Sequence, residues 1–245
     1  LLLPWTGPLF ASLRRLREDV GTGVRRYLWL WAGFIVVFFS LSGTKLPHYA
    51  LYGATPLFLL MAAHRDSLRR PWAQLLAPSA LFVLLPLLPG ILGYLSTAEA
   101  GSAFQRAQLA RTMDVVGPGY YLITIAVLAL WLAIAVFWRT RLWHKLVVAG
   151  VVQTVVLAAV VVPLLGEVVQ GPVKSAGLFA RQLAEPVTRM RFDAPSFSVY
   201  AQAATPRSEP PPGGLAVTRI DRVPAEGYTP VFEEAGVVVL RRNAP

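Results

Sequence analysis

The chain has 245 residues, of which 55% are hydrophobic and 15% are charged, and its formal net charge is +10. A soluble domain carries about a quarter charged residues, so this composition excludes an ordinary soluble protein and indicates a membrane protein. The basic residues stand in short clusters beside apolar runs, which is typical of topology signals and argues against a nucleic-acid partner. The absence of cysteine excludes disulfides and thiolate metal sites.

The first predicted element is an apolar stretch, Leu1–Leu13, in which Pro4 and Pro8 bend the chain or mark a loop. The chain begins without methionine, and it shows neither a charged n-region nor a cleavage site, which argues against a secretory signal. We therefore expect this stretch to be the end of a membrane helix, and the chain to be the C-terminal part of a longer protein.

Apolar segments follow, and each is a candidate membrane span because about 20 apolar residues cross the hydrocarbon core. The first two are short and would rely on flanking aromatic residues. Together with the first stretch they predict an all-α polytopic membrane domain over 1–165, with about five to six transmembrane helices. The segments are Tyr27–Leu41, Pro47–Ala63, Trp72–Leu95, Gly119–Phe137 and Leu146–Leu165.

Basic residues alternate between the loops and predict the side that each loop faces. Three loops hold eleven of them, whereas the two intervening loops hold Lys45, Arg106 and Arg111. Because arginine-rich loops stay in the cytoplasm, Lys45 and the C-terminus are predicted to be extracytoplasmic. The residues of the basic loops are Arg14, Arg15, Arg17, Arg25 and Arg26, then Arg65, Arg69 and Arg70, and then Arg139, Arg141 and Lys145.

The extracytoplasmic loop Ser96–Pro118 is predicted to hold a surface helix that lies in the membrane interface. The alternative is that Arg106 or Arg111 contacts a substrate phosphate or an acidic acceptor. The helix is indicated by apolar residues at roughly helical spacing, namely Phe104, Leu109 and Met113.

The composition changes after Leu165, and the polar segment 166–245 is predicted to be a small α/β domain on the same side as Lys45. A short helix is expected in "PVKSAGLFARQLAEP", which has a proline at each end. Strands are expected in "VTRMRF", "SFSVYA", "GLAVTRIDRV" and "GVVVLRR", with a hairpin turn at Glu234–Gly236.

The break "SLSGTKLPHY" places a lysine between the first two apolar segments. One interpretation is a tight turn, in which Gly43 ends a helix, Pro47 begins the next and Lys45 reaches the headgroups. The other is an anion site, in which the lysine and a helix N-terminus bind the phosphate of a lipid-linked substrate. His48 and Tyr49 would add hydrogen bonds, and the residues alone leave both interpretations open.

The run "FFSLSGTKLPHYALYGATPLFLLMAA" resembles the lysine-leucine-proline-x-tyrosine segment of GT-C membrane glycosyltransferases. This group contains aminoarabinose lipid A transferase and the bacterial relatives of protein O-mannosyltransferases. The preceding "LPWTGPLFASLRR" is similar to the segment before that motif. The C-terminal "FDAPSFSVYAQ", "GGLAVTRIDRV" and "YTPVFEEAGVVVLRR" are similar to the extracytoplasmic tail of the group.

The resemblance implies a multi-pass enzyme of the bacterial inner membrane that transfers a sugar from a polyprenyl-phosphate donor on the extracytoplasmic face. The acceptor would be lipid A, another glycan or a protein. The resemblance also implies that Lys45, His48 and Tyr49 bind the donor phosphate. It assigns the catalytic carboxylates to an N-terminal half that is absent here.

Accordingly, no catalytic residue is predicted within the chain. Asp114 and Glu99 lie in an extracytoplasmic loop but match no motif of the group. Asp193 and Asp221 are expected to be ordinary surface residues of the tail.

Neither a cofactor nor a metal site is predicted within the chain, and a divalent-metal requirement would depend on the missing N-terminal loop. The histidines lack metal-ligand spacing, and His64 and His144 are expected to be solvated. A function of a different class also stays open, in which a non-catalytic transporter or flippase subunit uses Lys45 at a lipid phosphate.

Overall fold

The computed structural model describes residues 2–21, 23–42, 49–68, 70–98 and 101–244, with the backbone alone for Leu3, Tyr49 and Ala50. The chain forms two compact units, one of residues 1–85 and 123–155 and the other of residues 86–122 and 156–245. The helices are α1 (Thr6–Leu13), α2 (Leu16–Asp19), α3 (Gly23–Leu41), α4 (Tyr49–Ala63), α5 (Pro71–Thr97), α6 (Ala103–Val115), α7 (Pro118–Phe137), α8 (Leu142–Val156), α9 (Val162–Leu183) and α10 (Pro195–Ala201). The strands are β1 (Val187–Arg189), β2 (Leu215–Arg219), β3 (Tyr228–Glu234) and β4 (Val237–Arg242).

The helical part is a membrane domain, as the composition predicts. Within the described residues, four helical stretches are long and apolar enough to cross a membrane, and the apolar part of α4, Leu51–Ala63, is shorter. Large apolar side chains such as Phe34, Leu122 and Phe137 are exposed on these helices, which suits a surface covered by lipid. The four stretches are Gly23–Leu41, Pro71–Thr97, Pro118–Phe137 and Leu142–Leu183.

The first unit is held together by buried aromatic side chains. The indole Nε1 of Trp131 donates to Ser79 Oγ at 2.9 Å, and its ring packs against Phe82 with 5.4 Å between centroids. Pairing that N–H matters because hydrocarbon offers it no other partner. Trp5 packs where Gly150 leaves room, since a Cβ at Gly150 would lie 2.5 Å from the Trp5 ring.

A buried carboxylate, Asp19, joins α2 to α3 and to the end of α4. Trp29 Nε1 donates to Oδ2 at 2.9 Å, Arg25 Nη1 donates to Oδ1 at 3.2 Å, and His64 Nε2 lies 3.2 Å from Oδ1. Burial raises the pKa of Asp19, but the Trp29 hydrogen bond and the interactions with His64 outweigh it and lower the pKa below its ordinary value. The prediction that His64 is solvated is therefore wrong, whereas His144 is exposed as expected.

Replacing Asp19 with asparagine should lower the free energy of unfolding by about 1–3 kcal/mol, because the charge that His64 and Arg25 face is lost. The measurement is thermal or denaturant unfolding of the chain in detergent micelles near pH 7. Asp66→Asn is the matched control, because the Asp66 side chain is 87% exposed and should change stability little. Equal losses for the two variants would contradict a structural role for the Asp19 cluster.

The same variant has a defined pH dependence. Because the folded-state pKa of Asp19 is lowered, its contribution is present above the ordinary value of 3.8 and is lost as the pH falls through the lowered pKa. The stability difference between Asp19→Asn and wild type should therefore shrink at acid pH.

The second unit contains a mixed sheet with strand order β1-β2-β4-β3, in which β1 and β2 are parallel and the other pairs are antiparallel. Helices α9 and α10 cover one face of the sheet, so the predicted small α/β domain is confirmed. The core of this face consists of Val173, Ala176 and Ala180 from α9, Phe197 and Ala201 from α10, and Leu215, Val217, Val237 and Val239 from the strands.

Helix α9 differs from its prediction. The sequence predicts a span that ends at Leu165 and a separate helix that begins near Pro172, but α9 runs from Val162 through Pro172 to Leu183. A π-helical turn, Leu157–Val161, precedes it and widens the backbone just before Pro163, where a proline ring would clash with a regular α-turn. The division at 165/166 into a membrane part and a tail stays a prediction, and α9 crosses it.

The segment "SFSVYA" is also not a strand. It forms α10, in which Phe197 and Ala201 stand four residues apart and are both buried in the core. A proline at the first helical turn, Pro195, favours this start. The predicted strand "VTRMRF" is confirmed only as far as Arg189, and "GLAVTRIDRV" only as far as Arg219.

The β3–β4 hairpin turns at Ala235–Gly236, inside the predicted Glu234–Gly236. Both turn residues have positive φ, 43° and 81°, which matches a two-residue type I′ turn.

Candidate functional site

The predicted donor-phosphate site falls largely outside the described residues. Lys45 and His48 lie outside them, and Tyr49 is described only as the first residue of α4. The assignment of these three residues to a phosphate stays a prediction.

Helix α6 is anchored on the tail domain. Its N-terminus has a capping box, in which Gln105 N donates to Ser102 Oγ at 3.2 Å and Ser102 N donates to Gln105 Oε1 at 3.0 Å. Phe104 packs against the sheet core, with its ring centroid 5.9 Å from that of Phe192. Phe104 therefore contacts protein, while the prediction that α6 lies in the membrane interface stays a prediction.

Arg219 reinforces this contact. Its guanidinium carbon lies 4.3 Å from the centroid of the Phe104 ring, and Nη2 donates to Ser102 Oγ at 3.3 Å. Asp221 accepts two further hydrogen bonds from Arg219, at 2.6 Å and 3.0 Å. Burial raises the pKa of Asp221, but the Arg219 pair outweighs it, so the pKa lies below its ordinary value. Ser102 and Phe104, at the start of α6, are thus packed and hydrogen-bonded to Arg219 of the tail domain.

Arg111 is held by two carboxylates. Nη1 donates to Glu234 on β3, and Nη2 lies 3.4 Å from Glu167 on α9. Its side chain is only 17% exposed, so Arg111 is committed to ion pairs that fix α6. These contacts argue against the alternative that Arg111 binds a substrate phosphate, and Arg106 is half-buried on the same helix.

An apolar groove of about 420 Å³ lies in the second unit and is lined by the C-terminal part of α5, by α6 and by α9. We call it the α5–α6–α9 groove. Its walls include Leu95, Leu165 and Val169, which are 42–45% exposed, so the groove is open to its surroundings. Its lining consists of Leu92, Leu95, Ala98, Gln105, Gln108, Leu109, Thr112, Leu165, Val168 and Val169.

The polar groups of the groove come from α6 alone. Thr112 is fully buried, and its Oγ1 has no hydrogen-bond partner among the described residues, which is costly unless something else pairs it. Gln105 and Gln108 add carboxamides, while the lining contains neither a carboxylate nor a histidine. The groove can therefore hold an apolar chain beside a few hydrogen-bonding groups, but it cannot by itself transfer a proton.

The acidic residues considered in the sequence do not form a catalytic pair in the described chain. Asp193 and Asp221 lie at the surface and pair with Arg207 and Arg219, as expected of ordinary tail residues. Asp114 is exposed on α6, and Glu99 lies outside the described residues. In the part of the chain that the structure describes, no cluster of acidic or histidine side chains could hold a metal ion.

The groove residues were not identified from the sequence. Ser102 and Gln105 have capping-box spacing, which could have defined the start of α6. The groove itself depends on three helices from distant parts of the chain, so no local pattern indicates it.

Comparison with known proteins gives one partial similarity. No family model and no solved structure match the chain. Among curated proteins, the chain is 34% identical over 135 residues to undecaprenyl phosphate-alpha-4-amino-4-deoxy-L-arabinose arabinosyl transferase 2 of Sodalis glossinidius (strain morsitans). The similarity covers 43% of this chain and 24% of the relative, so the chain spans about a quarter of the relative's length.

This similarity confirms the coarser part of the resemblance seen in the sequence. Over part of its length, the chain is similar to a protein named as a glycosyl-transferring enzyme. Together with the apolar helices, the similarity is consistent with a membrane-embedded transferase. The sugar donor, the acceptor and the membrane face stay predictions.

Proposed function

We propose that this chain is part of an integral-membrane glycosyltransferase that moves a sugar from a polyprenyl-phosphate donor to a cell-envelope acceptor on the extracytoplasmic face of the bacterial inner membrane. The observation that carries the proposal is the partial similarity to an arabinosyl transferase named for an undecaprenyl phosphate-linked sugar. The acceptor is lipid A, another glycan or a protein.

The proposed reaction is a direct displacement at the anomeric carbon of the donor sugar. An acceptor oxygen forms a bond to that carbon, and the bond from the carbon to the carrier phosphate breaks, with its electron pair leaving on the phosphate. A carboxylate outside this chain takes the acceptor proton. Lys45 offsets the charge of the leaving phosphate, and His48 and Tyr49 donate hydrogen bonds to it, since stabilising developing charge is usually the largest catalytic effect.

We assign the α5–α6–α9 groove to the apolar chain of the carrier. The assignment is supported by the open apolar walls and by the absence of charged groups from its lining. A prenyl chain is apolar throughout, so a groove of this chemistry gains by burying it at about 25 cal/mol per Å².

Replacing Val169 with glutamine should raise the KM for the polyprenyl-phosphate donor about tenfold, because burial of roughly one valine side chain, about 1.5 kcal/mol, is lost. The value of kcat should change little, since the contact is the same before and during the reaction. The measurement is sugar transfer in membranes that contain the full-length protein, normalised to protein level.

Leu178→Gln is the control for this experiment. Leu178 lies on the same helix and is 40% exposed, close to the 44% of Val169, but it does not line the groove. A similar rise in KM for both variants would contradict the groove assignment.

The proposed function itself is tested by omitting the polyprenyl-phosphate donor. We expect the wild-type protein to transfer no sugar without that donor, and transfer in its absence would contradict the proposed function.

The proposed grouping of two basic loops on one side of the membrane has support in the first unit. Arg14 and Arg15, which precede α3, line a cavity of about 900 Å³ together with Arg70, which precedes α5. Two basic loops that the sequence assigns to the cytoplasm thus lie on the same side of their unit.

Single cysteines can test the orientation, because the chain has none of its own. Thr140→Cys, between α7 and α8, should react with a membrane-impermeant thiol reagent only after cells are permeabilised. Ala225→Cys, in an exposed loop of the tail, should react in intact cells. Labelling of position 140 but not of position 225 in intact cells would invert the orientation and remove Lys45 from the proposed active face.

A further inference from the structure

Four arginines line one pocket on the tail domain, away from the residues of the α5–α6–α9 groove. The pocket has a volume of about 380 Å³, which lies within the range of small-molecule sites, about 300–1,000 Å³. We call it the arginine pocket. It is lined by Arg189, Arg191, Arg207 and Arg222, by Asp193 and Glu209, and by Met190, Phe192 and Ser208.

Two of the arginines, Arg189 and Arg222, are positioned by backbone carbonyls, which leave their charges uncompensated. Arg189 Nε donates to the carbonyl oxygen of Thr205 at 2.9 Å, and Arg222 Nη1 donates to the carbonyl oxygen of Arg191. The other guanidinium nitrogens of Arg189 and Arg222 have no protein partner among the described residues. The guanidinium of Arg191 has none there either, so several charged donors are available to a ligand.

The pocket has an excess of positive charge. Of its two carboxylates, Asp193 pairs with Arg207 at 2.6 Å, and both side chains are more than half exposed, so this pair is weak. Glu209 is exposed as well. Four arginines against two carboxylates leave a net charge of +2, which matches the charge of a phosphate monoester, about −1.5 to −2 at pH 7.

Arg191 has an uncommon backbone conformation. Its φ is 53°, in the left-handed region that favours glycine, so an arginine at this position costs of order 1 kcal/mol. The turn itself would be made more easily by glycine. A charged side chain at a strained position is expected where that side chain has a use.

We propose that the arginine pocket binds a phosphate monoester group; that this group belongs to a cell-envelope molecule rests on the proposed extracytoplasmic side of the tail. Guanidinium groups form paired hydrogen bonds with phosphate and with carboxylate oxygens. A carboxylate offers two oxygens in one plane, whereas donors from Arg189 and Arg191 on one segment and from Arg222 on another suit a group with three oxygens. This site is independent of sugar transfer, and its test requires no transfer activity.

The experiment is isothermal titration of the purified chain in detergent micelles with glucose 1-phosphate. We expect saturable binding to one site, with an affinity that weakens about tenfold or more in Arg191→Gly. Glycine accepts the φ of 53° and keeps the carbonyl group that binds Arg222. The melting temperature of Arg191→Gly should therefore stay near that of wild type, which separates a lost ligand contact from a lost fold.

Arg181→Gln is the matched control, because it removes the same charge from an exposed position on α9 outside the pocket. The affinity of Arg181→Gln for glucose 1-phosphate should stay within about twofold of wild type, since Arg181 does not line the pocket. Equal weakening by Arg181→Gln and Arg191→Gly would show an effect of net charge and overturn the site.

Two ligands distinguish the chemistry and the source of the phosphate. Glucuronate, which carries a carboxylate, should bind more weakly than glucose 1-phosphate, and equal binding would overturn the phosphate assignment. Nanodiscs that contain phosphatidic acid should displace glucose 1-phosphate if the natural source is a lipid and should leave it bound if the source is soluble. No saturable binding of either phosphate up to about 10 mM would overturn the proposal.

Discussion

Replacing Gly236 with alanine should lower the free energy of unfolding of the second unit by about 2–4 kcal/mol. Gly236 is the second residue of the β3–β4 turn, with φ of 81°, where a Cβ is disfavoured. A Cβ there would also lie 3.0 Å from Cδ2 of Phe104 and 3.2 Å from Cβ of Ala107, both on α6. The substitution should therefore strain the turn and push α6 from the sheet.

Gly227→Ala separates these two causes. Gly227 also has φ of 81°, but a Cβ at that position would meet nothing within 4 Å. It should therefore cost only the backbone strain, about 1–2 kcal/mol. The measurement is the unfolding free energy of both variants in the same detergent. Equal losses would show that α6 does not press on the turn and would contradict the docking of α6 on the tail.

Replacing Lys45 with glutamine should lower the efficiency of sugar transfer about ten- to hundred-fold, which corresponds to about 1.5–3 kcal/mol of a charge-assisted contact with the donor phosphate. The assay is sugar transfer from the polyprenyl-phosphate donor in membranes that contain the full-length protein, normalised to protein level. Lys174→Gln is the control, because Lys174 is an exposed lysine on α9 and its loss should leave transfer unchanged.

Two further variants refine the test of Lys45. Lys45→Arg should recover only part of the activity, since a planar guanidinium does not replace the point charge of an ammonium. Tyr49→Phe should cost less, about 1 kcal/mol, because a neutral hydrogen bond is lost. Wild-type efficiency of Lys45→Gln at normal protein level would leave "SLSGTKLPHY" as a turn between two helices, in which the lysine only reaches the headgroups.

The helical membrane domain was predictable because local hydropathy decides whether a segment can enter a membrane. A segment in hydrocarbon must satisfy its own backbone hydrogen bonds, so an apolar run of sufficient length becomes a helix whatever surrounds it. The hairpin at Ala235–Gly236 was predictable for a related reason, since a glycine between β-formers suits the positive φ of a tight turn.

Short amphipathic segments were less predictable. In "SFSVYA", the apolar residues alternate as in a strand, but Phe197 and Ala201 also stand four apart as on one face of a helix. Six residues fit both periods, and the choice depended on the core that α9 and the sheet offer to Phe197 and Ala201. Pro172 likewise predicted a helix start, yet packing of the residues after it onto the sheet keeps α9 continuous.

By itself, the sequence determined the membrane class, the positions of the long apolar helices except the end of the last one, the charge pattern of the loops and the α/β character of the tail. Only the tertiary structure showed that Asp19 and His64, 45 positions apart, share a buried contact. Only the tertiary structure likewise showed the α5–α6–α9 groove and the arginine pocket. Helix formation depends on neighbours within a few residues, whereas a buried ion pair, a groove or a pocket depends on which distant side chains packing brings together.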